Sequence, residues 1–252
     1  MGALDGQVAL VSGGSSGIGT EVCVRLARDG ADVAVNGLDA EAVNEVVARV
    51  QSLGRRSMAL VGSVADPDLV QAMVDRTVDE LGRLDIVVNN AGLQEETPFL
   101  ELDLDTWRKQ LSVDLDGSFL LASAAARQMA GRGGGVVINV TSVHEYQPRP
   151  GFAAYCVAKA GLGMLTKVMA RELASQGIRV VSVAPGAVDT PIQGQMTEPE
   201  KAEQRAGIPA GRLAHPAEVA GLIAWLASPE AAYVSGTSIV MDGALMTEVS
   251  MS

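Results

Sequence analysis

Ser142, Tyr155 and Lys159 have the types and spacing for proton transfer at an alcohol or carbonyl carbon. Tyr155 and Lys159 stand four positions apart and share one face of any helix that carries them. An ammonium one turn from a phenol favours the phenolate, so Tyr155 can take or give a proton at the reacting oxygen. Ser142 follows the apolar run 136–140 (VVINV), which reads as a buried strand, and its hydroxyl can hydrogen-bond the same oxygen. Such a site still needs a hydride carrier.

The N-terminal segment has the features of a carrier's cradle. An apolar run at 7–12 is followed by Gly13, Gly14, Ser15, Ser16, Gly17, Ile18 and Gly19, and then by a helical pattern through Arg28. A glycine-rich strand-to-helix turn lets backbone N–H groups and the positive helix end meet a pyrophosphate. The spacing is G-x-x-x-G-x-G, and the motif alone also fits simple tight packing. After the second strand, at 32–36, come Leu38 and Asp39, with no Arg or Lys to neutralise a 2′-phosphate. That leans to NAD, with NADP the alternative. Asp39 is placed either for the adenosine ribose or as the cap of the next helix.

Further strands are predicted at 57–61, 84–88, 136–140, 178–183 and 237–241, alternating with helical patterns. This predicts a single α/β domain, a seven-stranded parallel sheet with helices on both faces. Asn89, Asn90, Ala91 and Gly92 end the fourth strand, at the sheet edge where ligands bind in such folds. Residues 103–132 read as one long helix holding Asp114, and 151–176 as the helix of Tyr155 and Lys159. The more polar stretch at about 191–212, containing Gln193, is a candidate substrate lid.

The chain has 252 residues and a net charge of −11, which argues against nucleic acid or an anionic membrane as partner. No apolar stretch is long enough to span a bilayer and no signal peptide is visible, so a cytoplasmic location is expected. Cys23 and Cys156 belong to no metal-ligand cluster, so no metal is expected.

In this order, the motifs Ser12-Gly13-x-x-x-Gly17-Ile18-Gly19, Asn89-Asn90-Ala91-Gly92, Ser142, Tyr155-x-x-x-Lys159 and Pro185-Gly186 resemble the short-chain dehydrogenase/reductase family over nearly the whole chain. The resemblance implies a Rossmann-type doubly wound sheet and hydride transfer between a nicotinamide cofactor and a carbinol carbon. It implies that Tyr155 takes the alcohol proton, Lys159 binds the nicotinamide ribose, and Ser142 holds the substrate oxygen. Val188 would meet the carboxamide side of the ring, Thr190 the phosphates or amide, and Ser63 and Val64 the adenine. Family members are often homotetramers. Within the family, NNAGL (89–93), SVHE (142–145), PGAVDTPI (185–192) and AWLASPEAAYVSG (224–236) are most similar to bacterial glucose 1-dehydrogenases. His144, Glu145 and Gln94 are then candidate contacts to a sugar or polyol, with Glu95 on the facing loop and Arg149 at the rim.

Three positions depart from the family pattern. Asp114 stands where most members carry an Asn that bends its helix and positions a proton-relay water, so an impaired relay or altered pH dependence is expected. Ser63-Val64 replaces an Asp-Val pair, and Asp242-Gly243-Ala244 replaces Asp-Gly-Gly. Close glucose enzymes also tend to carry Arg where this chain has Leu38. The rival readings are a 3-oxoacyl-thioester (acyl carrier protein) reductase, with Arg127, Arg132 and Arg171 available to an acidic carrier, and a nucleotide-binding regulatory protein without turnover.

Overall fold

The computed structural model describes residues 2–190 and 197–247, the side chain of Lys201 excepted. Short β-branched runs form the strands, and because the sheet is covered by helices on both faces they are apolar over most of their length rather than alternating. These are β1 (Val8–Val11), β2 (Asp32–Gly37), β3 (Ser57–Val61), β4 (Ile86–Asn89), β5 (Gly135–Val140), β6 (Ile178–Pro185) and β7 (Ser238–Met241). They pair in the order β3-β2-β1-β4-β5-β6-β7, and every pair is parallel.

Helices α1 (Gly17–Arg28), α2 (Ala40–Ser52) and α8 (Pro216–Ala227) cover one face. The other carries α3 (Pro67–Leu81), α5 (Gly117–Met129) and α6 (Ala153–Leu173). Helix starts are written into the sequence as caps. Asp39, Asp66 and Asp103 each accept backbone N–H bonds at the heads of α2, α3 and α4 (Leu104–Leu111). His215 and Glu218 close a capping box on α8.

The stretch read as one helix over 103–132 is three elements. Between α4 and α5 lies a π-helical turn, Ser112–Asp116, the kind of irregularity that concentrates at functional sites. It turns Asp114 fully inward, with no exposed surface. The polar stretch at 191–212 is also more structured than its composition implies. It contains α7 (Glu198–Ala206), headed by a Thr197–Glu200 capping box. Residues 191–196 of the candidate lid, Gln193 included, lie outside the described residues.

Candidate active site

The strand order reverses between β1 and β4, and their two following loops flank a crevice at the carboxyl edge of the sheet. Gly13 and Gly17 take the left-handed conformation, with φ of 60° and 50°. A Cβ on Gly13 would lie 2.8 Å from the Ala91 Cα, and one on Gly19 would lie 2.1 Å from the Gly13 carbonyl oxygen. Only glycine lets these loops close on each other. Asn90 then stitches them, its Nδ2 donating to the carbonyls of Ser12 (3.1 Å) and Gly13 (3.0 Å). Ser12 Oγ accepts from the backbone N–H groups of Asn90 and Ala91. Ser16, at the head of α1, makes no side-chain cap. The first-turn donors of α1 are thus left to a ligand, and an anionic pyrophosphate fits that cradle.

Beside this turn is a cleft of about 510 Å³. Gly13, Ser16, Gly17, Ile18, Asn90, Ala91 and Gly92 line it, together with Ser142, His144, Tyr155 and Lys159 and with Pro185, Gly186, Val188 and Thr190. Gln94 also lines it. Of the remaining expected cofactor contacts, Ser15 packs at the end of β2, where a Cβ on Gly37 would meet its Oγ. Leu38, Asp39, Ser63 and Val64 follow β2 and β3 on the same carboxyl edge, outside the enclosed cleft. Leu38 is 73% exposed. Val64 is buried against Gly117, and Ser63 Oγ accepts from Ala65 N–H. Asp39 caps α2 through one oxygen, Oδ1, which takes the N–H groups of Glu41 and Ala42.

Glu145 corrects the sequence reading. It does not line the cleft; its carboxylate turns to the far side of the loop, accepts from Ser238 Oγ on β7 at 3.0 Å, and packs against Gly163 of α6. The glycine at 163 leaves the space the carboxylate occupies, so Glu145 ties the loop to the scaffold. His144 does line the cleft. Its Nδ1 lies 3.1 Å from the Gln147 carbonyl, which can only accept, so Nδ1 carries the proton and Nε2 is left as an acceptor. Burial pushes the imidazole pKa down, the Gln147 bond opposes this, and the Arg149 charge adds to the lowering.

Lys159 is 5% exposed. Its Nζ donates to the Val140 carbonyl at 3.2 Å, lies 3.5 Å from Asp114 Oδ2, and sits 5.5 Å from the Tyr155 ring centre. Asp114 Oδ1 accepts the Leu93 N–H at 2.7 Å, and Gln110 Nε2 donates to the Leu93 carbonyl. Burial pushes the Asp114 carboxyl above the usual carboxylate range despite Lys159 pulling it down. Burial pulls Lys159 down in turn, but Asp114 and, secondarily, Tyr155 outweigh that and hold the ammonium above the ordinary lysine range. An Asp at 114 thus makes a direct ion pair with the lysine.

Gln110 and Leu93 were missed in the sequence, as was a buried polar ladder. Asn89 Nδ2 donates to Asn139 Oδ1, and Asn139 Nδ2 donates to Thr166 Oγ1, both at 2.8 Å. The ladder pins α6, and with it Tyr155 and Lys159, to β4 and β5. Its signal was present: Asn89 and Asn139 each interrupt an apolar strand, and they are register partners. Gln204 and Ile208, in and just after α7, and Leu245 near the C-terminus also line the cleft unforeseen. Arg127, Arg132 and Arg171 sit away from it. They lie at or beyond the last turns of α5 and α6, and helices between parallel strands run back to the opposite sheet edge. Arg171 is about 24 Å along α6 from Tyr155.

Fold and cleft together are those of a dinucleotide-dependent oxidoreductase. A family model described as enoyl-(acyl carrier protein) reductase matches residues 13–245. A 3-oxoacyl-[acyl-carrier-protein] reductase of Synechocystis is 40% identical, over 98% of this chain and 99% of the relative. A short-chain type dehydrogenase/reductase from Mycobacterium marinum superposes with a TM-score of 0.92 at 36% identity, covering 97% of both chains. The acetoin dehydrogenase YohF of Salmonella typhimurium gives 0.90 at 37%, covering 98% of both. The chain belongs to the short-chain dehydrogenase/reductase family, and is an NAD(P)-dependent enzyme acting on CH–OH groups. Among the described residues no helix is long and apolar enough to cross a membrane, and no His, Cys, Asp or Glu cluster could hold a metal.

Proposed function

We propose that the enzyme interconverts a small polar secondary alcohol and its carbonyl, with NAD as the preferred cofactor. The carrying observation is that Ser142, Tyr155 and Lys159 line the same cleft as the glycine turn. When bound, the nicotinamide supplies or accepts the hydride. Tyr155 moves the proton at the substrate oxygen, and Ser142 donates a hydrogen bond to that oxygen. Lys159 holds the nicotinamide ribose. Asp114 is a positioning residue: it fixes Lys159 and, through the Leu93 N–H, the loop carrying Gln94. Preference for NAD rests on the absence of a cation at Leu38 and on the uncommitted Oδ2 of Asp39, which is free to accept from a ribose hydroxyl.

A polar substrate is supported by two acceptors without donors: Nε2 of His144 and the buried Oε1 of Gln204, a cleft residue. Each is satisfied by a substrate hydroxyl. A sugar such as glucose belongs to this class, though Glu145 is no longer available to it. The Synechocystis relative favours a second reading, reduction of a 3-oxoacyl thioester on acyl carrier protein, but Arg127, Arg132 and Arg171 do not serve the cleft mouth. We also propose a homotetramer in the cytoplasm. Leu104, Phe119, Val157, Met164 and Val168 leave an apolar face exposed on α4, α5 and α6, and β7 is an open sheet edge.

The test is absorbance-monitored reduction of NAD⁺ and NADP⁺ with sugars, polyols, acetoin-type hydroxyketones and simple secondary alcohols, beside oxidation of NADH and NADPH by a 3-oxoacyl thioester. Turnover of a polar alcohol, faster with NAD⁺, is expected. Turnover of the thioester alone would replace this reading with the second.

A further inference from the structure

Arg149 is the cleft's unmatched charge. Arg25, Arg55, Arg56, Arg83 and Arg212 each face a carboxylate. Arg149 has no carboxylate partner among the described residues, yet it is partly buried and lines the cleft. Among the described residues no Asp or Glu lines that cleft with it. The other lysine or arginine there, Lys159, already faces Asp114. In a chain of net charge −11, a cleft-lining arginine with no carboxylate partner is a local excess of positive charge.

The side chain is also held in place. Its Cζ lies 3.9 Å from the Phe152 ring centre. Phe152 is itself buried and meets the Tyr155 ring edge-on, with centres 6.5 Å apart. Arg149 is flanked by Pro148 and Pro150, and its carbonyl accepts the Phe152 N–H at 3.1 Å. The next residue, Gly151, has φ of 80° and takes the Thr97 N–H on its carbonyl, which ties this turn to the loop after Gln94. The two ring contacts in series set the guanidinium one aromatic ring beyond the phenol. The ring holds the guanidinium by a cation–π contact, and no hydrogen bond to its N–H groups occurs among the described residues. Carboxylates bind the N–H edge of a guanidinium through two parallel hydrogen bonds.

We infer that the substrate carries a carboxylate, which Arg149 binds while the carbinol carbon is presented to Tyr155 and Ser142: the physiological substrate is a secondary hydroxycarboxylate or the matching oxocarboxylate. This rests on the alcohol dehydrogenase reading above. Anchor and reacting group both pack against Phe152, so the length between carboxylate and carbinol is the specificity ruler. His144 and Gln204 then serve any further hydroxyls.

The experiment compares kcat/KM for 2-, 3- and 4-hydroxycarboxylates, each beside its own primary amide, together with neutral secondary alcohols, in the wild type, Arg149→Met and Arg149→Lys. One chain length is expected to favour the acid over its amide by about 10- to 100-fold in the wild type, the usual worth of a charge-assisted pair. That ratio should fall to about one in Arg149→Met and to an intermediate value in Arg149→Lys. General damage to the fold cancels in the ratio. Equal use of acids and amides, with neutral alcohols turned over, would overturn the carboxylate site and leave the dehydrogenase reading standing. A changed NADP⁺/NAD⁺ preference in Arg149→Met, with the acid ratio intact, would assign the guanidinium to the cofactor and overturn it too. Silence on every alcohol, with NADH unbound, would remove both.

Discussion

At the inner end, Lys159 lines the cleft and Asp114 lies beside it, both out of water: the Val140 carbonyl accepts from the lysine, the Leu93 N–H donates to the aspartate, and Asp114 Oδ2, with no hydrogen bond of its own, faces the lysine charge at 3.5 Å. At the outer end, Arg149, His144 and Gln204 keep hydrogen-bonding capacity that nothing in the described chain uses. The inner end does the same proton chemistry whatever the substrate, and its groups can be committed in advance. The outer end distinguishes substrates, and discrimination requires groups that stay unsatisfied until the right molecule arrives. Mutations at the two ends should therefore fail differently, in kcat at the inner end and in the ratio between substrates at the outer.

The largest effect is expected at Tyr155. Tyr155→Phe keeps the ring that packs on Phe152 and His144 and removes the proton carrier alone. A loss of about 10²- to 10⁴-fold in kcat is expected, with NADH affinity, read by fluorescence titration, within a factor of about two. Loss confined to KM would transfer Tyr155 to the outer, substrate-selecting group. A kcat within tenfold of wild type would sink the mechanism.

Asp114→Asn tests whether the inner pair is electrostatic or merely steric. The amide oxygen still accepts the Leu93 N–H, but the charge beside Lys159 is gone. The folded Asp114 pKa is raised by burial. Its contribution to stability is thus fully present below the unfolded value of about 3.9 and lost as pH rises through the folded value. Lys159 is also raised, so its contribution holds below the unfolded value of about 10.4 and is lost as pH rises through its higher folded value. Asn removes the first dependence and weakens the second. The expected result is a flattened acid limb in the kcat profile and earlier alkaline unfolding, with kcat at neutral pH kept or raised, since Asn is the residue the family pattern has there. An unchanged profile would mean the pair acts by shape.

The inner end was also the more legible of the two in the sequence. Strand–helix alternation, the glycine turn and the spacing of Tyr155 and Lys159 are local patterns, and the fold places them as local patterns predict. What escaped depends on direction or distance. Glu145 is one residue past His144, yet a 3₁₀ turn, Val143–Glu145, sends the two side chains to opposite sides of the loop. Gln110 is the one buried residue of α4 and donates to the Leu93 carbonyl, a contact to a loop 17 residues earlier that no helical spacing announces. Gln204, Ile208 and Leu245 come from distant segments, and no spacing rule connects them to Tyr155. Outer-end residues are contributed singly by separate segments, Gln204 from α7 and His144 and Arg149 from the stretch after β5, which is why composition suggested a lid but not its lining.

Smaller effects are expected beyond both ends. Leu38, exposed at the end of β2, offers nothing to a 2′-phosphate. Leu38→Arg should raise kcat/KM for NADP⁺ by about 10-fold, the worth of one charge-assisted contact, and leave the order of alcohol substrates unchanged. A shift in that order would show that the adenosine side and the outer end are coupled, which the comparison denies.

The smallest effect is one of stability. Ala244 stands where the family pattern has glycine, and it adopts φ of 71°, the only non-glycine positive φ among the described residues. Asp242 enforces this: Oδ1 accepts the Ala244 N–H at 2.9 Å and Oδ2 the Met246 N–H at 2.7 Å. The turn presents Leu245 to the cleft. A left-handed alanine costs about 1–2 kcal/mol, and glycine's greater freedom in the unfolded chain returns about 0.5–1 kcal/mol of that. Ala244→Gly should therefore gain up to about 1 kcal/mol and raise Tm by about 2–4 °C, measured by thermal unfolding with cofactor absent. If the strain serves to hold Leu245 rigid against substrate, the stabilised variant will also show a weaker preference among alcohols at unchanged kcat. A gain in Tm with specificity intact would place the strain outside function. A fall in Tm would mean that the Asp242 bonds, and not the backbone conformation, dominate the tail.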